Sequence, residues 1–239
     1  QKFKLGEEVE IKSSSFGYGT DNKNIKYLEE GKDFVGTKLG VSGTYSGNGI
    51  FVGYGIESGP DNFSSYGENF DFAGSAAVMF RFEPMDEEGN SLWTQKGRWT
   101  GYSSLSAKIT SAIRKNAGAV FIINTLGASD KRINSLEISG DRSWGDVPVF
   151  LVSMEVGKKL LESGDNTGRS AIDFRKYADE GRKPFELSNV FIDSKLSLDK
   201  KVLFGENVVA KLEGRGNLSE EIIVIGAHLD HLGMGAFGS

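Results

Sequence analysis

Apolar positions along this chain change their spacing, and each change marks a change of element. Over residues 1–80 they come in short runs cut by Gly17, Gly19, Gly31, Gly36, Gly40, Gly43, Gly47, Gly49, Gly53, Gly55 and Gly59. Glycine at such intervals punctuates helices, so this third predicts short strands and turns, including Asn24–Leu28, Phe34–Leu39, Gly49–Ile56 and Ala76–Phe82. The middle takes helical spacing. Leu105, Ile109, Ala112 and Ile113 recur behind the cap candidates Ser103 and Ser104, and Asn116 to Gly118 closes that helix before an apolar strand, Ala119–Ile123. The same unit follows again: a strand at Val147–Val152, then Ser153 capping a helix with Val156, Leu160 and Leu161 that ends at Ser163-Gly164. The polar stretch 164–185 holds a helix from Ser170 to Gly181. Val190, Ile192, Leu196 and Leu198 then alternate with Phe191, Asp193, Lys195 and Ser197, the pattern of a half-buried strand. Two more strands are expected at Asn207–Leu212 and Glu221–Ala227. Strand–helix alternation predicts a sheet covered on a face by helices. There is no internal repeat, coiled-coil heptad or low-complexity linker.

Composition narrows the chemistry. The chain has 239 residues, 28 Lys and Arg against 33 Asp and Glu for a net charge of −5, 32 Gly, no Cys and two His. A chain this long buries roughly 70–75% of the surface its unfolded form exposes, enough to fold as one large or two small domains without staples. No stretch concentrates basic residues as a phosphate-tracking surface needs, which argues against nucleic acid as a partner. No apolar run approaches the ~20 residues that span a bilayer, and Gln1 to Glu10 lacks the apolar core of a signal peptide. Without Cys, disulfides, zinc ribbons and thiol nucleophiles are excluded. Any imidazole chemistry must run through His228 and His231.

Most constellations reduce to ordinary structure. Gly47-Asn48-Gly49-Ile50-Phe51-Val52-Gly53 looks superficially like a dinucleotide loop, but that loop follows a strand and opens a helix, whereas these glycines precede a strand. Adjacent carboxylates at Glu7-Glu8, Glu29-Glu30, Glu87-Glu88, Asp179-Glu180 and Glu220-Glu221 lie in polar stretches and are read as surface charge rather than acid/base pairs. Ser104 and Ser153 are read as helix caps, and no Ser occupies the Gly-X-Ser-X-Gly turn of a hydrolase elbow. The aromatics from Phe63 to Trp99 are read as core and loop anchors in preference to a groove lining. Asn62-Phe63-Ser64 and Asn217-Leu218-Ser219 match the glycosylation acceptor pattern, and no weight is placed on them.

One segment remains. Ile222-Ile223-Val224-Ile225 predicts a buried strand, and Gly226-Ala227 lets the backbone run close to a neighbour where it ends. Ligand sites in α/β sheets gather beyond the carboxyl ends of strands, which is where His228 falls. If the extended backbone continues, His228 and Asp230 point the same way, as a metal-binding imidazole and the carboxylate that fixes its tautomer must. His231 points to the other side and is read as structural. The competing reading is two ordinary histidines on a surface loop.

Gly226-Ala227-His228-Leu229-Asp230-His231-Leu232-Gly233 resembles the strand-end motif of the co-catalytic zinc aminopeptidases, the family of bacterial leucyl aminopeptidases and glutamate carboxypeptidases, with Leu229 where Tyr is usual. The resemblance implies that His228 is a zinc ligand and that Asp230 orients it. The family's further ligands, a bridging Asp, a Glu-Glu pair, another Asp and a distant His, follow the motif in chain order. They are therefore expected beyond this chain, since Glu220-Glu221 precedes the motif. One ligand falls short of the three protein ligands of a catalytic zinc, so the chain alone is expected to be inactive and to bind zinc weakly.

Residues from about 48 to 185, with Gly49-Ile50-Phe51-Val52-Gly53-Tyr54-Gly55-Ile56, Ala112 to Ile123 and Val147-Pro148-Val149, resemble a protease-associated domain, and Gln1-Lys2-Phe3 resembles the end of an early peptidase strand. The resulting expectation is an α+β, mostly β domain with peripheral helices, flanked by strands of an incomplete α/β zinc-peptidase domain. Its parts are an early peptidase strand at 1–14, the protease-associated domain at 15–199 and the start of the catalytic domain at 200–239. The family implies hydrolysis of amino-terminal peptide bonds with two zinc ions, peptide substrates, a secreted or periplasmic location and a lid, substrate-access or protein-contact role for the inserted domain. The alternative is a standalone, non-catalytic interaction module.

Overall fold

A computed structural model describes residues 2–94, 98–138, 143–206 and 208–226. The chain forms two compact units, Glu7–Val202 and a smaller one made of Gln1–Gly6 with Leu203–Ser239. In chain order the strands are β1 (Lys2–Gly19), β2 (Ile25–Tyr27), β3 (Phe34–Gly36), β4 (Gly43–Phe51), β5 (Ala76–Phe80), β6 (Ala119–Ile123), β7 (Val149–Val152) and β8 (Phe185–Glu206). Three α-helices accompany them: α1 (Leu105–Arg114), α2 (Met154–Gly164) and α3 (Ala171–Asp179).

The fold is α+β, built on one mixed eight-stranded sheet in the order β2-β1-β8-β4-β5-β6-β7-β3. β4, β5, β6 and β7 run parallel, while β8 and β3 flank them antiparallel. The sheet curls within Glu7–Val202. Phe16 of β1 and Phe34 of β3, far apart in strand order, bring their ring centroids to 5.6 Å, and Ser14 donates to Glu30.

Alternation along the parallel strands divides the core in two. Ala76, Val78, Phe80, Phe121, Ile123, Phe150 and Val152 face one cluster with Leu160 and Leu161 of α2 and Phe174 of α3. Ala77, Met79, Val120, Ile122, Val149 and Leu151 face the other with Ile109 and Ala112 of α1. Both faces are covered, so these strands read as unbroken apolar runs. Gly157 brings α2 against β6, since a Cβ there would meet Ile123 at 2.2 Å.

Local signals act as the sequence implies at two helix starts. The Ser153 hydroxyl accepts from the Val156 N–H, and Ser170 forms a capping box with Asp173. At α1, Ser104 precedes the first turn but makes no side-chain cap bond; it pairs with the Ser106 hydroxyl instead.

Three expectations change. The Gly47–Gly49 stretch lies inside β4, which begins at Gly43, and the ladder with β8 shifts register between Asn48 and Ile50. β1 and β8 are far longer than glycine punctuation suggested, at 18 and 22 residues. Residues 208–226 contain no strand. Val208, Leu212 and Ile222–Ile225 are between 86 and 97% exposed, because a strand needs neighbours and these have none among the described residues.

Candidate functional site

Parallel strands bring the carboxyl ends of β4, β5 and β6 to one edge, and Arg81, Glu83, Lys108 and Asp179 gather there. Arg81-Phe82-Glu83 leaves β5 as a buried cation, a buried ring and a buried anion. Arg81 donates to Asn124 Oδ1 at 3.1 Å and to the carbonyls of Arg132 at 3.2 Å and Glu137 at 3.3 Å. Glu83 accepts from the Ser91 hydroxyl, from the Thr100 N–H at 2.9 Å and from the Thr100 hydroxyl. Phe82 sits at φ +70° with its ring stacked on Trp99 at 4.4 Å.

Lys108 reaches into this edge from the apolar stripe of α1. It is 1% exposed and donates to the carbonyls of Phe80 at 3.2 Å and of Phe82. Burial pulls its amine down to about 7, with Arg81 adding to the effect and Glu83 opposing it.

A second clamp lies beside the first. The Asp179 carboxylate accepts from the Tyr54 hydroxyl at 2.7 Å, the Met85 N–H at 2.9 Å and Arg175 Nε at 3.0 Å, tying α3 to the turns after β4 and β5. Burial raises its pKa in spite of these bonds, and burial with the Asp179 charge pushes the Tyr54 hydroxyl well up. Asp179 is therefore an internal tie, not the surface charge that its place beside Glu180 suggested.

On the outer side of α1 lies an open groove of about 530 Å³, lined by the turn Gly55–Ser58, by Gly101 and Tyr102, by one face of α1 and by Trp144. Glu57 is held there by Arg114, by Lys115 Nζ at 3.3 Å and by the Ser111 hydroxyl at 3.2 Å. Burial works to raise this carboxyl, but those bonds and charges outweigh it and its pKa falls.

The residues singled out for zinc chemistry, His228 and Asp230, lie outside the described residues, as does His231. Among the described residues no group of three or more His, Cys, Asp or Glu could hold a metal ion. The aromatics between Phe63 and Trp99 are core and loop anchors: Phe72 and Phe80 are buried, and Phe63 packs edge-on against Trp93 at 5.2 Å. Pattern reading passed over Arg81, Glu83 and Lys108. The one available signal was Lys108 itself, a charge beside Ile109 on the apolar side of an otherwise regular amphipathic helix.

No protein-family model matches the chain, and no curated protein matches it. Among solved structures it is similar to an aminopeptidase from Aneurinibacillus sp. strain AM-1, at 17% identity and a TM-score of 0.44, with 85% of this chain covering 35% of that one. It is also similar to a peptidase M28 precursor from Shewanella amazonensis SB2B, at 10% identity and a TM-score of 0.40, with 85% of this chain covering 40% of that one. Both TM-scores are below the level of a shared fold, and the chain spans well under half the length of either protein.

Proposed function

We propose that this chain belongs to a zinc-dependent aminopeptidase, in which the larger unit is a non-catalytic protease-associated domain and the segment after it begins the catalytic domain. The observation that carries this is the sequence of residues 222–233, four aliphatic residues followed by Gly226-Ala227-His228-Leu229-Asp230. That donor set suits zinc: a neutral imidazole as ligand and a carboxylate two residues on to hold its tautomer. His228 would bind one zinc of a pair and Asp230 would orient the ring, with the remaining ligands contributed from outside this chain. The metal, when bound, supplies an activated water for attack on a peptide carbonyl.

The larger unit supports a non-catalytic role for itself. Its buried charged groups Arg81, Glu83, Lys108 and Asp165, and the largely buried Asp179, are all committed to bonds that hold turns and helices together. In this proposal it acts as a lid, a wall of the substrate path or a protein-contact surface, in a secreted or periplasmic enzyme acting on peptides. The domain limits proposed are 1–14, 15–199 and 200–239.

The test is to express the chain together with the sequence encoded after Ser239 and to assay cleavage of aminoacyl-nitroanilides with and without zinc. Zinc-dependent activity that His228→Ala lowers by two orders of magnitude or more is the expected result. Activity undiminished by that substitution overturns the ligand assignment. A following sequence with no further Asp and no Glu-Glu pair leaves the interaction-module alternative in its place.

A further inference from the structure

The groove beside α1 has a charge balance unlike that of the whole chain. The protein carries a net charge of −5, yet here Arg114, which lines the groove, and Lys115 beside it both face the single carboxylate of Glu57, while the amine of Lys108 is turned inward to the Phe80 and Phe82 carbonyls. Glu57 already takes bonds from Arg114, Lys115 and Ser111, so a second anion entering the groove meets an excess of positive charge. Arg114 remains 64% exposed on its side chain and can turn a free N–H toward such a group.

Beside these charges the groove presents flat apolar surface. Tyr102 is 43% exposed and Trp144 38% exposed, and both line it. Tyr, Trp and Arg are the side chains that most often dominate binding energy, because each offers a large contact area at low cost in rotamer entropy or a rigid set of donors. A volume of about 530 Å³ is in the range of sites that take a small ligand, and it exceeds what one side chain fills.

We propose that this groove binds a peptide segment in which a carboxylate adjoins an aromatic or large aliphatic side chain, the carboxylate directed to Arg114 and the apolar group packed on Tyr102 and Trp144. This deepens the assignment of the larger unit as a protein-contact surface, on which it rests, by naming the place of contact and the chemistry recognised there. Specificity comes from the pairing of features: an apolar group alone gains contact area, and a carboxylate alone gains a charge-assisted bond, but only both together use the whole groove.

The test titrates the isotope-labelled 239-residue chain with N-acetyl-phenylalanine and, separately, with its carboxamide, following amide shifts by nuclear magnetic resonance. The carboxylate probe is expected to shift Glu57, Ser111, Arg114 and the Trp144 indole saturably, and the neutral probe to bind about tenfold more weakly. Arg114→Gln removes that preference and Arg114→Lys keeps part of it. Equal affinity for the two probes, saturable shifts only outside the groove, or no saturable shift at all overturns the proposal. His228→Ala leaves probe binding unchanged, whereas it abolishes zinc-dependent peptidase activity, so failure of the groove and failure of the peptidase assignment are separate results.

Discussion

Lys108 donates a hydrogen bond to the carbonyl oxygen of Phe82, a residue held at φ +70°. The same amine bonds the Phe80 carbonyl at 3.2 Å, so one side chain of α1 closes the left-handed turn in which β5 ends. A charged group thereby serves a structural purpose inside the core, and the energetic consequences have definite signs.

Lys108 should make stability rise with pH. Its amine titrates near 7 when buried and near 10.5 when free, so between those values the unfolded chain binds more protons than the folded one. Stability then increases across that window, by at most about 1.4 kcal/mol per pH unit from this group. Below 7 both states are protonated and its contribution no longer changes. Lys108→Met should flatten the rise, as read from urea unfolding between pH 7 and about pH 10. A wild-type rise no steeper than that of the variant counts against the assignment.

Phe82 should reverse a familiar order of substitution. Both Phe82→Ala and Phe82→Gly lose the stack on Trp99, at a cost of about 3–5 kcal/mol. Glycine accepts a positive φ freely, whereas alanine is disfavoured there by roughly 1 kcal/mol. Phe82→Gly should therefore be the more stable of the two in chemical denaturation. Alanine ahead of glycine would show that the turn relaxes out of the left-handed region.

Asp179 and Tyr54 should be strongly coupled. Asp179→Ala leaves the Tyr54 hydroxyl, the Met85 N–H and Arg175 without their shared acceptor, and is expected to cost about 3–5 kcal/mol. Tyr54→Phe removes one donor and should cost about 1–2 kcal/mol. In the double variant the second change should add little, since the bond is already broken. Additive losses in a double-mutant cycle are the adverse outcome.

Residues 222–225 should exchange their amide hydrogens at close to the rate of an unstructured peptide in the 239-residue chain, while Ala119–Ile123 stays protected. Ile222–Ile225 are at least 86% exposed, whereas the side chains of β6 are buried on both faces. Mass-spectrometric exchange resolves the two segments directly. Protection of 222–225 comparable to β6 would mean that the chain finds a partner for this strand by itself.

Elements whose signals are local were legible without coordinates. β6 runs over the residues that its apolar run predicted, Ala119–Ile123, and the starts of α2 and α3 follow Ser153 and Ser170, because capping is decided by residues three apart. β1 was not legible. Its alternation is weak and glycines interrupt it, and it is a strand because β8 and β2 supply its hydrogen bonds. The expected strands after residue 206 failed in the opposite sense, with good apolar patterns and no neighbours among the described residues.

The sequence by itself determined what chemistry is available: no thiol, two histidines in one short motif, and a chain able to bury a large core. It also determined which positions are apolar and hence which face of each helix turns inward. Only the tertiary structure decided that Lys108 and Asp179 are interior ties rather than surface charges. The physical reason is that a buried charge is tolerable only where acceptors or donors converge on it, and apart from Arg175, one turn from Asp179, those partners come from residues 26 to 125 positions away in the chain. Periodicity reports which way a side chain faces; the fold decides what meets it there.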